Sequence, residues 1–190
     1  LIAWDAPPDA LNHLRVKAFV LSGGPASVYD EDAPTLPAYV IASGLPVLGI
    51  CYGMQLLTHA LGGRVAPSEK REYGQAVVNI SDPSEPLLAD LPSAMPVWMS
   101  HGDKIVEMPA GFRSIAQSDS SPVAMMVDDA GHLGIQFHPE VAHTPQGDVL
   151  LRNFLFNVAN CEPTWTAKSF VEESIKTIRE QVGDGRVLCA

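Results

Sequence analysis

The sequence predicts an α/β fold, with a parallel central sheet flanked by helices and antiparallel β segments appended to it. Three observations lead there. Two short apolar runs, "VKAFVLSGG" (Val16–Gly24) and "PVLGI" (Pro46–Ile50), alternate with helical patterns closed by glycine. From Gln75 to Phe137 the texture changes to brief, partly alternating segments cut by Pro, Gly and Asp. A helical pattern then returns at Thr144.

Taken in order, Val16–Gly24 reads as a buried strand closed by a Ser-Gly-Gly-Pro turn. "YVIASG" (Tyr39–Gly44) reads as the end of a helix, stopped by Gly44. "PVLGI" is a second buried strand. After Cys51, the residues Met54, Leu57 and Leu61 recur at helical spacing until Gly62 and Gly63 stop them. "QAVVNI", "PVWMS", "DKIVEMP", "FRSIAQS", "PVAMMVD" and "HLGIQF" read as separate β segments, mostly antiparallel. "TPQGDVLLRNFLFNVA" (Thr144–Ala159) is helical, and Pro163 breaks the pattern that follows. The last helix spans Ala167–Val182, with Val171, Ile175, Ile178 and Val182 on one face and Gly183 as its stop. The closing "RVLCA" reads as the start of a strand. With Leu1 in place of Met, this makes the chain read as a piece of something longer.

Composition narrows the function. The 190 residues suffice for one domain with a real core. A net charge of −10, with 12 scattered basic residues, argues against nucleic acid, which needs a basic stripe. The 3 cysteines (Cys51, Cys161, Cys189) form no CxxC pair or disulfide framework, as expected of a reducing cytoplasm. No signal peptide or membrane-length apolar run is present in the sequence.

The chemistry gathers around Cys51. "GICYG" (Gly49–Gly53) has the form of a nucleophile elbow, where glycines flank a residue on a tight strand-to-helix turn. A sulfur at a helix N-terminus faces unpaired N–H groups and the positive end of the helix dipole, so thiolate is expected to be favoured. The Tyr52 N–H is placed to bond an oxyanion forming beside it. On the elbow alone, a small buried core residue is an equally good reading. In "GIQFHPEV" (Gly134–Val141), Pro139 keeps His138 extended, so His138 and Glu140 can share a face as base and orienting carboxylate. Solvated polar residues at a strand end are the commoner fate of such a triplet. A metal site is rejected, because the H-x-E fragment lacks a downstream P-C-x-x-C. His13, His59, His132 and His143 read as surface or capping residues. Gly23 and Gly24 close a parallel strand, where α/β sheets place ligand loops.

Together, "LSGGP", "GICYGMQLL", "VWMSHGDK" and "GIQFHPEV", in that order, resemble the class I glutamine amidotransferase family. Tyr-Gly-Met-Gln in the elbow, "REYG" (Arg71–Gly74) and "IREQVGDGRVL" resemble its GMP synthetase branch more narrowly. The resemblance implies a flavodoxin-like fold, with Cys51 as nucleophile, His138 as general acid/base and Glu140 as its partner. It also implies an oxyanion hole from the Gly24 and Tyr52 N–H groups. Glutamine would be held by Gly23, Gln55, Ser100, His101 and Gly102, largely through backbone groups of an "SHG" loop. Residues 1–160 would form the amidotransferase domain, its first strand and helix missing. Residues 161–190 would be a linker helix and the start of an ATP-pyrophosphatase synthetase domain. No cofactor is expected in the fragment. ATP and Mg are expected in the synthetase domain, which would use ammonia to convert XMP to GMP, and a homodimer is expected at full length. The alternatives are an amidotransferase serving carbamoyl phosphate, anthranilate or CTP synthesis, which more often carry Leu after the cysteine, and a non-catalytic docking fragment.

Overall fold

The computed structural model describes residues 1–163, 167–183 and 185–187. The strands are β1 (Phe19–Leu21), β2 (Val47–Ile50), β3 (Arg64–Ile80), β4 (Ala94–Glu107), β5 (Arg113–Gln117), β6 (Met125–Val127) and β7 (His132–Ile135). The helices are α1 (Ala38–Ala42), α2 (Tyr52–Ala60), α3 (Gly147–Asn153) and α4 (Ala167–Val182). All these strands join one 7-stranded sheet in the order β1-β2-β7-β6-β5-β3-β4. Strands β1, β2 and β7 run parallel, and every other pairing is antiparallel.

The expected α/β architecture is therefore present, with differences in detail. The "HLGIQF" segment was expected among the appended antiparallel strands. It does pair antiparallel with β6, but its other edge runs parallel to β2, so it also supplies the third parallel strand, β7, with all four residues buried. Burial on both faces suits a parallel strand, which alternation alone does not reveal. His132 in β7 is accordingly buried, not at the surface, and its Nδ1 lies 2.7 Å from Asp128 Oδ2.

The segments "PVWMS" and "DKIVEMP" fuse into the single strand β4, so Ser100, His101 and Gly102 lie mid-strand rather than in a loop. Along β4 the inward face runs Met95, Val97, Met99, His101, Asp103, Ile105. The alternation never breaks, but its inner face turns polar at His101, which disguised the strand. The helix expected over Thr144–Ala159 is α3 followed by a π-helical turn, Phe154–Val158.

The core lies on both faces of β2 and β7. Leu48, Leu133, Phe137, Leu150 and Phe154 pack in one cluster. Helix α2 is buried from Tyr52 to Thr58, consistent with a helix that is largely apolar all round. Gly44 and Gly62 stop α1 and α2 at φ of 66° and 86°, the left-handed region glycine adopts without a Cβ penalty. Helix α4 matches its expected bounds and exposes Phe170, Val171, Ile175 and Ile178. Of the expected terminal strand, Leu188, Cys189 and Ala190 lie outside the described residues. Among the described residues, no helix is long and apolar enough to cross a membrane.

Candidate active site

Cys51 sits where the fold concentrates strain. It is the residue between β2 and α2, with φ 52° and ψ −108°, a region costly to any residue but glycine. The flanking glycines allow this turn. A Cβ on Gly49 would come within 2.5 Å of the Gly53 carbonyl oxygen, and one on Gly53 would run into the Leu21 carbonyl. The elbow is therefore pressed against the end of β1, and only hydrogens fit between.

The sulfur faces a cavity of about 610 Å³ at the C-terminal ends of the parallel strands, walled on the far side by β3 and β4. The thiol donates to the Ser100 carbonyl at 3.6 Å, and the Gln136 amide donates to the sulfur at 3.9 Å. The expectation that the elbow favours thiolate is overturned. Burial pushes the Cys51 thiol up to about 11, and the charge of Glu140 adds to the rise. The Tyr52 N–H and the Gln136 amide pull the other way without prevailing. A nucleophile in this setting rests as the neutral thiol and needs a base.

His138 lines the same cavity. Its ring carbon Cε1 lies 3.0 Å, and Cys51 Cβ 3.6 Å, from the point where a Cβ on Gly23 would sit. Gly23 thus leaves the gap across which the imidazole and the elbow approach. His138 Nδ1 meets Glu140 Oε1 at 2.7 Å. The two side chains do converge, but through a turn at Pro139–Glu140 beyond β7 rather than along an extended strand.

That turn is held by residues the sequence reading missed. Trp98 accepts from the His138 N–H at 3.0 Å, and the Thr144 hydroxyl donates to the His138 carbonyl at 2.6 Å. A Cβ on Gly147 would collide with the Pro139 carbonyl. Nothing local in "HTPQG" announces this role.

The remaining expected residues divide. Gly24, Gln55, Ser100 and Gly102 line the cavity, and Gly23 borders it through the contacts above. The Gln55 amide donates to the Asp103 carbonyl at 3.3 Å, so it also ties α2 to β4. His101 lines the cavity too, but its ring is fully engaged. Nδ1 lies 2.8 Å from the Asp103 carbonyl and Nε2 lies 3.0 Å from Glu72 Oε2. Both ring nitrogens therefore have a partner, one a main-chain carbonyl and the other a carboxylate. Glu72 in turn accepts from Ser118 and Ser120. Asp103 accepts from Ser27 at 2.5 Å and Tyr29 at 2.6 Å, clasping the loop after β1 to β4. Asp103, Ser27, Tyr29, Gln136 and Thr144 all escaped the sequence reading. Only Asp103, beside the "SHG" triplet, had a signal that could have found it.

The family model for class-I glutamine amidotransferases matches residues 1–158. The chain belongs to that family. It is 60% identical to a GMP synthase (glutamine-hydrolyzing) of Thermomicrobium roseum, covering 100% of this chain and 36% of that protein. It is 54% identical to the GMP synthase of Dehalococcoides mccartyi, with the same coverage. The chain thus spans about a third of the length of these curated relatives. The crystal structure of a candidate GMP synthase component from Thermoplasma acidophilum superposes with a TM-score of 0.68 at 27% identity. That match covers 92% of this chain and 83% of the other.

Proposed function

We propose that this amidotransferase chain hydrolyses glutamine and supplies ammonia to GMP synthesis. The observation that carries the reading is the convergence of Cys51, on its strained elbow, with the His138–Glu140 pair at one cavity. Glu140 engages Nδ1 of His138, which leaves Nε2 to take the Cys51 proton. The sulfur attacks the carboxamide carbon, and the Tyr52 and Gly24 N–H groups receive the oxyanion. His138 returns the proton to the departing ammonia. It then activates the water that cleaves the γ-glutamyl thioester, releasing glutamate. Backbone groups of Gly23, Ser100, His101 and Gly102, together with Gln55, hold the substrate.

The match of the whole chain to GMP synthases favours that branch over carbamoyl phosphate, anthranilate or CTP synthesis. In this reading α4 leads toward a synthetase domain that would bind ATP and Mg, in a homodimer working in the cytoplasm. The test is Cys51→Ala in the intact protein, with a glutamine-like diazoketone as a second probe. Glutamine hydrolysis is expected to vanish while ammonia-dependent GMP formation persists, and the diazoketone should label Cys51 alone unless glutamine competes. Unchanged hydrolysis would overturn the reading.

A further inference from the structure

The Arg71–Gly74 motif has no part in the chemistry above, yet the fold brings it to the cavity. In the β3–β4 register Pro67 pairs with Asp103 and Glu72 with His101. Residues 68–71 of β3 are therefore set against Gly102 alone, four against one. This surplus takes Arg71 out of the ladder in an irregular bulge, a device that re-aims side chains. Glu72, the next residue, returns inward to His101 and fixes the end of the bulge.

Arg71 comes to rest over Gly102. A Cβ on Gly102 would meet Arg71 Nε at 3.7 Å and the Tyr73 hydroxyl at 3.8 Å. Both side chains line the cavity. The other ionisable side chains there are spoken for. Asp103 is held by Ser27 and Tyr29, His101 by Glu72, and His138 by Glu140. Among the described residues, Arg71 makes no ion pair and donates no hydrogen bond that would satisfy its charge. Arg71 is exposed at the cavity, and a guanidinium with five donors and no acceptor among the described residues is suited to a carboxylate.

The spacing suits the substrate. Ser100, whose carbonyl accepts from the Cys51 thiol, is two residues from Gly102 along β4. At about 3.3 Å per residue that places Arg71 roughly 6–7 Å along the strand from the sulfur's contact. In glutamine the reacting carboxamide carbon and the α-carboxylate carbon are four bonds apart, about 5 Å when staggered.

We propose that Arg71, assisted by the Tyr73 hydroxyl, receives the α-carboxylate of the substrate and restricts the site to free α-amino-acid amides. The proposal rests on the glutaminase reading. Arg71 binds an unreacting part of the substrate, so it contributes equally to the ground and transition states.

The intact protein is assayed with L-glutamine and with 4-aminobutanamide, which is glutamine without its α-carboxylate. Arg71→Gln should raise KM for glutamine by about 10- to 100-fold with kcat within about twofold of wild type, since charged hydrogen bonds of this kind are worth that much. The variant should leave kcat/KM for 4-aminobutanamide unchanged, because that substrate has nothing for Arg71 to hold. Arg71→Lys should fall between, keeping the charge but losing the fork. An unchanged KM for glutamine, or equal losses on both substrates, would overturn the assignment while leaving glutaminase activity standing. A wild-type protein that does not hydrolyse glutamine would sink the glutaminase reading, and this one with it.

Discussion

Raising pH should expose how deeply the elbow buries its sulfur. The Cys51 thiol is 5% exposed, and burial drives it from the ordinary 9.0 to about 11, against the opposing pull of the Tyr52 N–H and the Gln136 amide. At pH 9 an ordinary cysteine would be about half ionised, whereas Cys51 would be about 1% thiolate, a roughly 50-fold deficit. Brief pulses of iodoacetamide across pH 7–12, followed by peptide mass mapping, read the thiolate fraction at Cys51 against a model peptide thiol. The alkylation midpoint at Cys51 should lie near 11.

The same difference has a stability signature. The native state keeps a proton that the unfolded chain loses, so stability falls as pH rises from about 9 to about 11. The gap of about two pH units, at about 1.4 kcal/mol each, amounts to about 3 kcal/mol. Urea melts of wild type against Cys51→Ala should diverge by that amount over this window and run parallel below it. An alkylation midpoint at or below 9 would refute the reasoning. The helix terminus and the Tyr52 N–H would then outweigh desolvation, and the free protein would rest as thiolate.

Two further perturbations test how the site is built. Gly53→Ala drives a methyl into the Leu21 carbonyl, where the contact is backbone and cannot swing aside. It should cost about 3 kcal/mol or more by urea denaturation, with diazoketone labelling of Cys51 lost in parallel. Glu72→Ala leaves His101 Nε2 without its acceptor and strips Ser118 and Ser120 of theirs, in a site where the Glu72 side chain is 12% exposed. A loss of about 1–3 kcal/mol is expected, together with a higher KM for glutamine, because the Arg71 bulge ends on Glu72.

The parts of the molecule legible in sequence were those in which local pattern and tertiary role agree. Helix α4 was readable to its ends because Val171, Ile175 and Ile178 keep one face and Gly183 stops it. The elbow was readable because Gly49 and Gly53 are demanded by contacts within a few residues of each other and by the end of β1. The antiparallel pairing of β7 with β6 was legible because the two adjoin in sequence, whereas its parallel pairing with β2, far earlier in the chain, was not. β4 was divided because its inner face changes from Met99 to His101, and a polar residue at an inward position reads as a break. The thiol's protonation was misjudged for a related reason. A helix terminus is visible in sequence, whereas the desolvation that outweighs it comes from tertiary packing, which draws Cys51 into the main core cluster with residues from distant segments.

The placement of the neutral thiol follows from where the sheet changes character. Cys51 comes from the parallel part, while the Ser100 carbonyl that accepts its hydrogen bond belongs to β4, at the far antiparallel edge of the strand order. His138 leaves from the end of β7, the strand that joins the two parts. The nucleophile, its base and the opposing wall thus belong to three separate segments. The sulfur meets that wall through a single hydrogen bond, to the Ser100 carbonyl, whereas the wall itself is tied by Gln55, Glu72 and Asp103. A small displacement of β4 would remove the Ser100 acceptor and move Arg71 with it, while leaving the elbow glycines untouched. Reactivity at Cys51 is for that reason more sensitive to the β3–β4 wall than to the helix that carries the sulfur, and Glu72→Ala should alter it where changes at the solvent end of α2, such as His59→Ala, do not.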